Sequence, residues 1–177
     1  MAAEFEAFPK IARLKREVTV TEKIDGTNAQ VVVMESGDVL AGSRHHFITP
    51  ESDNYGFATW VKAHEEELRG LGPGRHYGEW WGQGINRGYG LAERRFSLFN
   101  VARWADDAVR PKCCHVVPVL AQMTGFKDSL LDFVLGALQE TGSHAAPGFM
   151  RPEGVVLYHA AGRVLFKCTL EKDDEGK

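Results

Sequence analysis

Cysteine is scarce. There are three in 177 residues, two adjacent at Cys113 and Cys114 and one at Cys168, so no disulfide framework can be drawn. That excludes a small disulfide-stapled secreted scaffold and makes a reducing cytoplasm the expected compartment. Cys113-Cys114-His115 could be read as metal ligands, but neighbouring side chains on a strand point to opposite faces, so a metal is not expected there. Long hydrophobic runs are lacking too. No stretch approaches the roughly eighteen apolar residues of a spanning helix. Residues 1–6 carry Glu4 and Glu6 and no apolar core, so a signal peptide is not expected. Positive charge is not in excess: 21 Lys and Arg against 24 Asp and Glu leave a net charge of −3. A general nucleic-acid coat protein would show a broad basic footprint instead. Local clusters, Arg13, Lys15 and Arg16 or Arg87, Arg94 and Arg95, could still meet phosphates, although solvated surface charge is the plainer reading of each. Internal repeats and low-complexity linkers are absent.

What is present suits one domain over residues 1–170, followed by a charged, mobile tail over 171–177. Residues 17–23 and 28–34 alternate or run apolar with β-branched side chains on either side of Asp25-Gly26, which predicts an antiparallel hairpin. A short strand is expected over 38–43. Residues 55–69 have helical spacing, with Phe57, Trp60, Val61, His64 and Leu68 on one face. Strands are expected over 75–81, 96–104 and 115–120, and an amphipathic helix over 128–141. A loop over 142–152 leads to a closing hairpin, 155–159 with 163–169. Many short antiparallel strands with two helices make the fold class α+β.

The most informative stretch is Thr21-Glu22-Lys23-Ile24-Asp25-Gly26-Thr27-Asn28. It places a lysine at the end of a strand, just before the chain turns, where one amine can be held at the lip of a cleft. A lysine becomes a nucleophile when desolvation or a neighbouring cation keeps part of it neutral. Further along come Ser43-Arg44, Tyr77-Gly78-Glu79-Trp80-Trp81-Gly82, Phe96-Ser97-Leu98-Phe99-Asn100-Val101, Arg151-Pro152-Glu153-Gly154-Val155-Val156-Leu157 and Val164-Leu165-Phe166-Lys167. Each alone is an ordinary strand end or turn. Together, in this order, they resemble motifs I, Ia, III, IIIa, IV and V of the covalent nucleotidyltransferases, the superfamily of ATP-dependent DNA and RNA ligases and capping enzymes. The matches span residues 22–167. Glu22-Lys23-Ile24-Asp25-Gly26-Thr27-Asn28, with Gly78-Glu79-Trp80-Trp81-Gly82 behind it, looks most like the type-2-related RNA ligases.

The resemblance implies an antiparallel-sheet, ATP-grasp-like adenylation domain with flanking helices. It implies that Lys23 attacks the α-phosphate of ATP to form lysyl-AMP and that Lys167 pairs with that phosphate. Glu79 would bond the ribose, Phe99 (with Phe96 the alternative) would stack on the base, and Arg44 would contact ribose or phosphate. Asp25 and Asn28 would order the turn, and Glu22 and Ile24 count with the nucleotide-binding residues because they flank the lysine. Glu153 would help hold Mg²⁺ or Mn²⁺. The implied partner is RNA, as a nicked duplex or broken strand, with DNA possible; a DNA ligase, a capping-type enzyme or a binding module without turnover are the alternatives. The chain ends about ten residues after Lys167, so a partner chain in place of a further C-terminal domain is also an expectation. Two departures stand out. Motif V usually holds two lysines and here holds Lys167 alone, with Arg163 or Lys172 as possible substitutes. Asn100 stands where an aspartate is common.

Overall fold

Along the first strand Val18 and Val20 are fully buried, while Thr19 and Thr21 point the other way. This period of two runs through most of the chain and decides what faces what. The computed structural model describes residues 4–171. Its strands are β1 (Glu17–Lys23), β2 (Thr27–Val33), β3 (Val39–Gly42), β4 (Phe47–Ile48), β5 (Gly74–Gly82), β6 (Arg94–Leu98), β7 (Cys114–Val116), β8 (Val119–Thr124), β9 (Gly154–His159) and β10 (Val164–Thr169). Its helices are α1 (Phe57–Ala63), α2 (Glu65–Leu68), α3 (Val101–Trp104) and α4 (Asp128–Thr141). One sheet has the order β10-β9-β1-β8 and the other β4-β3-β2-β5-β6-β7. Every pairing is antiparallel except β6 with β7. The architecture is α+β and dominated by sheet.

Three apolar clusters hold it. The larger sheet packs Val31, Trp80 and Phe96 against Phe57, Val61 and Leu68. The smaller sheet packs Val18, Val20, Val155 and Leu157 against Val134 and Leu138 of α4. A third cluster, Ile24, Trp81, Tyr89, Val117 and Ala146, fills the junction below the turn that joins the sheets.

The expected hairpin about Asp25-Gly26 does not form. β1 is flanked on both sides, by β8 and β9, so no edge is left for β2, which pairs with β3 and β5 in the other sheet. Asp25-Gly26 is a crossing between sheets. Tertiary contacts outweigh the local turn preference of an Asp-Gly pair: Ile24 is drawn into the junction cluster, and the Asp25 carboxylate is held by Asn86 and Arg87. Gly26 is needed here for closeness. A Cβ on it would lie 2.5 Å from the Trp80 carbonyl oxygen and 2.7 Å from the Trp81 Cβ.

Other expectations shift in smaller ways. The helix expected over 55–69 is broken at His64 into α1 and α2 and ends in a 3₁₀ turn, Arg69–Leu71. The strand expected over 96–104 stops at Leu98. Asn100 then caps α3 by accepting a bond from the Arg103 N–H, and capping needs a side-chain oxygen rather than a charge. The strand expected over 115–120 is two strands in different sheets, β7 and β8, separated at Val117 and Pro118. The helix over 128–141 and the closing hairpin stand as expected. Of the tail expected to be mobile, Glu171 is described and its carboxylate meets Arg87; residues 172–177 lie outside the described residues. No described helix is long and apolar enough to cross a membrane.

Gly26→Ala should therefore cost about 1–3 kcal/mol, because the added methyl meets backbone rather than a flexible side chain. Chemical denaturation checks this, and an unchanged midpoint would mean that the crossing relaxes freely.

Candidate active site

The two sheets enclose a cleft of about 1390 Å³. From the smaller sheet, Thr21 and Lys23 of β1, Val156 and Tyr158 of β9, and Leu165 and Lys167 of β10 face into it. The register explains this, since Lys23 lies opposite Gly154, and Thr21 and Lys167 both lie opposite Val156. From the larger sheet come Asn28 of β2, Tyr77 and Glu79 of β5, Arg44 from the turn after β3, and Phe99 just past β6. Residues scattered from 23 to 167 thus share one cleft.

The Lys23 ammonium sits 2.7 Å from Glu153 Oε2, and both side chains are about a quarter exposed or less, 24% and 19%. The group touching Lys23 is therefore a carboxylate rather than a cation. Among the described residues Lys167 forms no ion pair, and it faces the cleft as an uncommitted cation. Arg163, one suggested substitute for the second motif V lysine, lies in the β9–β10 turn away from the cleft wall, and Lys172 lies outside the described residues.

Glu79 is buried beside the crossing. Its Oε1 accepts the Gly26 N–H at 3.1 Å and its Oε2 accepts from Asn28 Nδ2 at 3.1 Å. Arg44 Nε donates to Asn28 Oδ1 at 2.7 Å, so Arg44, Asn28 and Glu79 form one chain of bonds. Burial pushes the Glu79 carboxyl up to about 7, against the opposing pull of the Lys23 charge and the two hydrogen bonds. Asp25 faces the loop after β5. Its carboxylate meets Arg87 Nε at 3.0 Å and Asn86 Nδ2 at 2.9 Å, and its N–H donates to the Tyr89 hydroxyl at 2.7 Å. Phe99 is 42% exposed on the cleft, whereas Phe96 is fully buried against Phe57, which removes Phe96 as a stacking candidate.

Glu22 and Ile24 do not offer their side chains to a nucleotide in the cleft. They form part of the wall, but strand alternation turns their side chains away from the cleft. The Glu22 carboxylate is 1% exposed and accepts bonds from the Ser143 hydroxyl and the His144 and Ala145 N–H groups. It anchors the loop after α4. Ile24 packs in the junction cluster. Arg87, grouped in the sequence with possible phosphate contacts, instead joins Asp25, the Arg151 carbonyl and Glu171. It ties the turn after Lys23 to the segment before Glu153. The only sequence hint was its place in the glycine-spaced run Gly82-Gln83-Gly84-Ile85-Asn86-Arg87-Gly88. Arg94 and Arg95 are likewise engaged, with backbone carbonyls and with Glu93.

This arrangement can hold a polyanion between Lys23, Lys167 and Arg44, with an aromatic face at Phe99. A divalent cation fits only in company. Among the described residues no three His, Cys, Asp or Glu side chains form a metal cluster. Glu153 Oε2 is buried and makes no hydrogen bond of good geometry; the Lys23 ammonium is its one close partner. One carboxylate plus substrate phosphates is a usual way to hold Mg²⁺, so the residues fit an ion that arrives with a nucleotide.

Comparison with known proteins agrees with this fold. Solved structures of Naegleria gruberi RNA ligase variants superpose on the chain. One with ATP and manganese has a TM-score of 0.64 at 18% identity, covering 88% of this chain and 49% of that one. Another with AMP and manganese has a TM-score of 0.63 at 19% identity, covering 88% and 50%. A third, with ATP and manganese, has a TM-score of 0.65 at 17% identity, covering 89% and 51%. The chain thus spans about half the length of these structures, and the likeness is one of fold. The RNA ligase family model matches residues 16–169, so the chain belongs to the RNA ligase family. Among curated proteins none matches.

The raised Glu79 carboxyl has a consequence for stability. Between the ordinary value of 4.5 and about 7 the folded chain keeps a proton that the unfolded chain releases. Stability is then greatest below this window and falls as pH rises through it, by on the order of 3 kcal/mol in all. Glu79→Gln should flatten that slope in urea titrations run from about pH 5 to about pH 8. An equal slope in the variant would assign the dependence to other groups.

Proposed function

We propose that the chain is the adenylation domain of an ATP-dependent RNA ligase, folded in the nucleotidyltransferase manner over residues 1–170 and acting in the cytoplasm. The observation that carries this is the Lys23 amine, held in the cleft against Glu153, with Lys167, Glu79, Arg44 and Phe99 on the same walls. Family membership and the ATP, AMP and manganese in the related structures support the choice of nucleotide and ion.

Lys23 Nζ forms a bond to the α-phosphorus while the bond from that phosphorus to pyrophosphate breaks. In-line attack on a dense anion needs its oxygens neutralised and its α-phosphate positioned. Lys167 supplies a charge on the α-phosphate from β10, on the far side of β9 from Lys23 in the same sheet. Phe99 offers its face to the base, a contact worth about 1–3 kcal/mol. Glu79, as carboxylate or acid, presents oxygen toward the ribose hydroxyls while fixing Gly26 and Asn28. An ammonium has no lone pair, so Lys23 Nζ must first give up a proton, to the Glu153 carboxylate that touches it or to water, and the Lys23–Glu153 contact then opens for attack. Mg²⁺ or Mn²⁺ shared by Glu153 and the triphosphate would neutralise phosphate oxygens there. The AMP then passes to an RNA 5′-phosphate, and a 3′-hydroxyl attacks that phosphate and displaces AMP.

Incubation with ATP labelled in its α-phosphate should leave a labelled protein band on a denaturing gel. Lys23→Ala should abolish the band at a stability cost of about 1–3 kcal/mol, the penalty for leaving the Glu153 carboxylate without its partner. GTP and dATP run beside it read nucleotide choice. Label kept in the variant would overturn the assignment of Lys23, and no label in the wild type with either ion would leave a binding module.

Sealing of a 5′-labelled nicked RNA duplex should be slow and should weaken steeply with salt, because phosphate contacts dominate affinity. It should exceed sealing of free single strands, since a duplex already aligns the two ends. Labelled protein without any adenylylated or joined polynucleotide would refute the ligase step alone.

A further inference from the structure

Beside the main cleft lies a notch of about 250 Å³, lined by Gln30, Arg44, His45, His46, Phe47 and Arg75. It shares Arg44, His45, His46 and Arg75 with the cleft, so these residues form a common wall. Among the described residues no carboxylate lines it. Its arginines, like Arg94 and Arg103, reach no carboxylate among the described residues. Arg69, Arg87, Arg95 and Arg110 each reach a carboxylate. Arg75 instead bonds the Gln30 side-chain oxygen at 3.0 Å, and Arg44 bonds the Asn28 side-chain oxygen. Among the described residues neither forms an ion pair. Two guanidinium groups with only neutral partners, beside two imidazoles that can donate hydrogen bonds, are a concentration of positive charge and donors that an anion would relieve.

The strand register gives the wall a direction. On β5, Arg75, Tyr77 and Glu79 alternate onto the cleft side, running from the notch to the buried Glu79. Tyr77 is 55% exposed between them, and Phe47 is half exposed with the Arg75 guanidinium 5.7 Å from its ring centre. Cations spaced by exposed aromatic faces form the pattern that holds a single strand, with phosphates on the charges and bases on the rings.

We propose that this notch binds a phosphodiester of a single-stranded polynucleotide leaving the cleft, with Arg75, His45 and His46 on the phosphate and Tyr77 or Phe47 beneath a base. The proposal rests on the nucleotidyltransferase reading of the adjoining cleft and assigns the notch to the nucleic acid rather than to the triphosphate.

The test pairs two readouts on wild type, Arg75→Ala and Arg75→Lys. The first is fluorescence anisotropy of a 5′-phosphorylated single-stranded RNA oligonucleotide across a salt series. The second is the KM for ATP in label transfer to the protein. Arg75 is exposed and bonds only a side-chain amide, so both variants should fold. Arg75→Ala should bind RNA about threefold to tenfold more weakly, with a slope of log affinity against log salt shallower by about 0.7. Arg75→Lys should recover the slope, because a phosphate accepts a point charge. The KM for ATP should stay within about twofold of wild type. Unchanged RNA affinity and slope in Arg75→Ala, or a wild type that binds no RNA, would overturn the proposal. So would a raised KM for ATP with RNA binding intact, which would give the notch to the triphosphate. If the wild type takes no label while the RNA readout behaves as expected, the ligase reading fails and the notch stands.

Discussion

The pairing of β1 with β9 is the constraint on which the site depends. It sets Lys23 opposite Gly154 and so brings the amine to the carboxylate of the preceding residue, Glu153. A slip of one residue would turn Lys23 to the α4 side and Glu22 to the cleft. The register is held from several directions. Gly154 lets β10 come close, since a Cβ there would lie 2.2 Å from the Cys168 carbonyl oxygen. The Leu170 N–H donates to the Glu153 carbonyl. Arg87 gathers Asp25, the Arg151 carbonyl and Glu171, and so joins the chain just past Lys23 to both ends of the β9–β10 pair.

Neighbouring residues on β1 have opposite fates. Glu22 is buried, with its charge met by a hydroxyl and two backbone N–H groups, and acts as an anchor for the loop after α4. Lys23 faces the cleft with a single carboxylate contact that a ligand can compete for. Glu79 lies between these cases. It is buried and doubly hydrogen-bonded, yet its carboxyl is pushed up to about 7, so its charge near neutral pH responds to whatever enters the cleft. A cleft that is to accept a polyanion, as proposed here, without collapsing in its absence needs both kinds of residue.

The sequence showed the reactive side of this site better than its scaffold. The motif residues Lys23, Asn28, Arg44, Glu79, Phe99 and Lys167 do share one cleft, with Glu153 touching Lys23; those on strands share a face by alternation, while Arg44, Phe99 and Glu153 sit just beyond strand ends. The Asp25-Gly26 crossing was misread as a hairpin because local turn chemistry is the same in both, and only the long-range partners of β1 distinguish them. Glu22 and Ile24 turn their side chains from the cleft because adjacency to Lys23 in sequence means the opposite face of the chain. The partners of Arg87 and the notch around Arg75 are not legible in the sequence. Their meaning lies in partners more than sixty residues away for Arg87 and, for Arg75, in the absence of a carboxylate partner among the described residues, neither of which leaves a local pattern. Asn100 looked like a lost charge and is also a helix cap, a role that Asp and Asn fill alike.

The central claim is that one amine, selected by the β1–β9 register, becomes covalently attached to nucleotide. Peptide mapping by tandem mass spectrometry, after incubation of the chain with ATP and manganese, tests it most directly. The account predicts an acid-labile AMP adduct on Lys23 and on no other lysine. An adduct on Lys167, or spread over surface lysines with Lys23 unmodified, would contradict it.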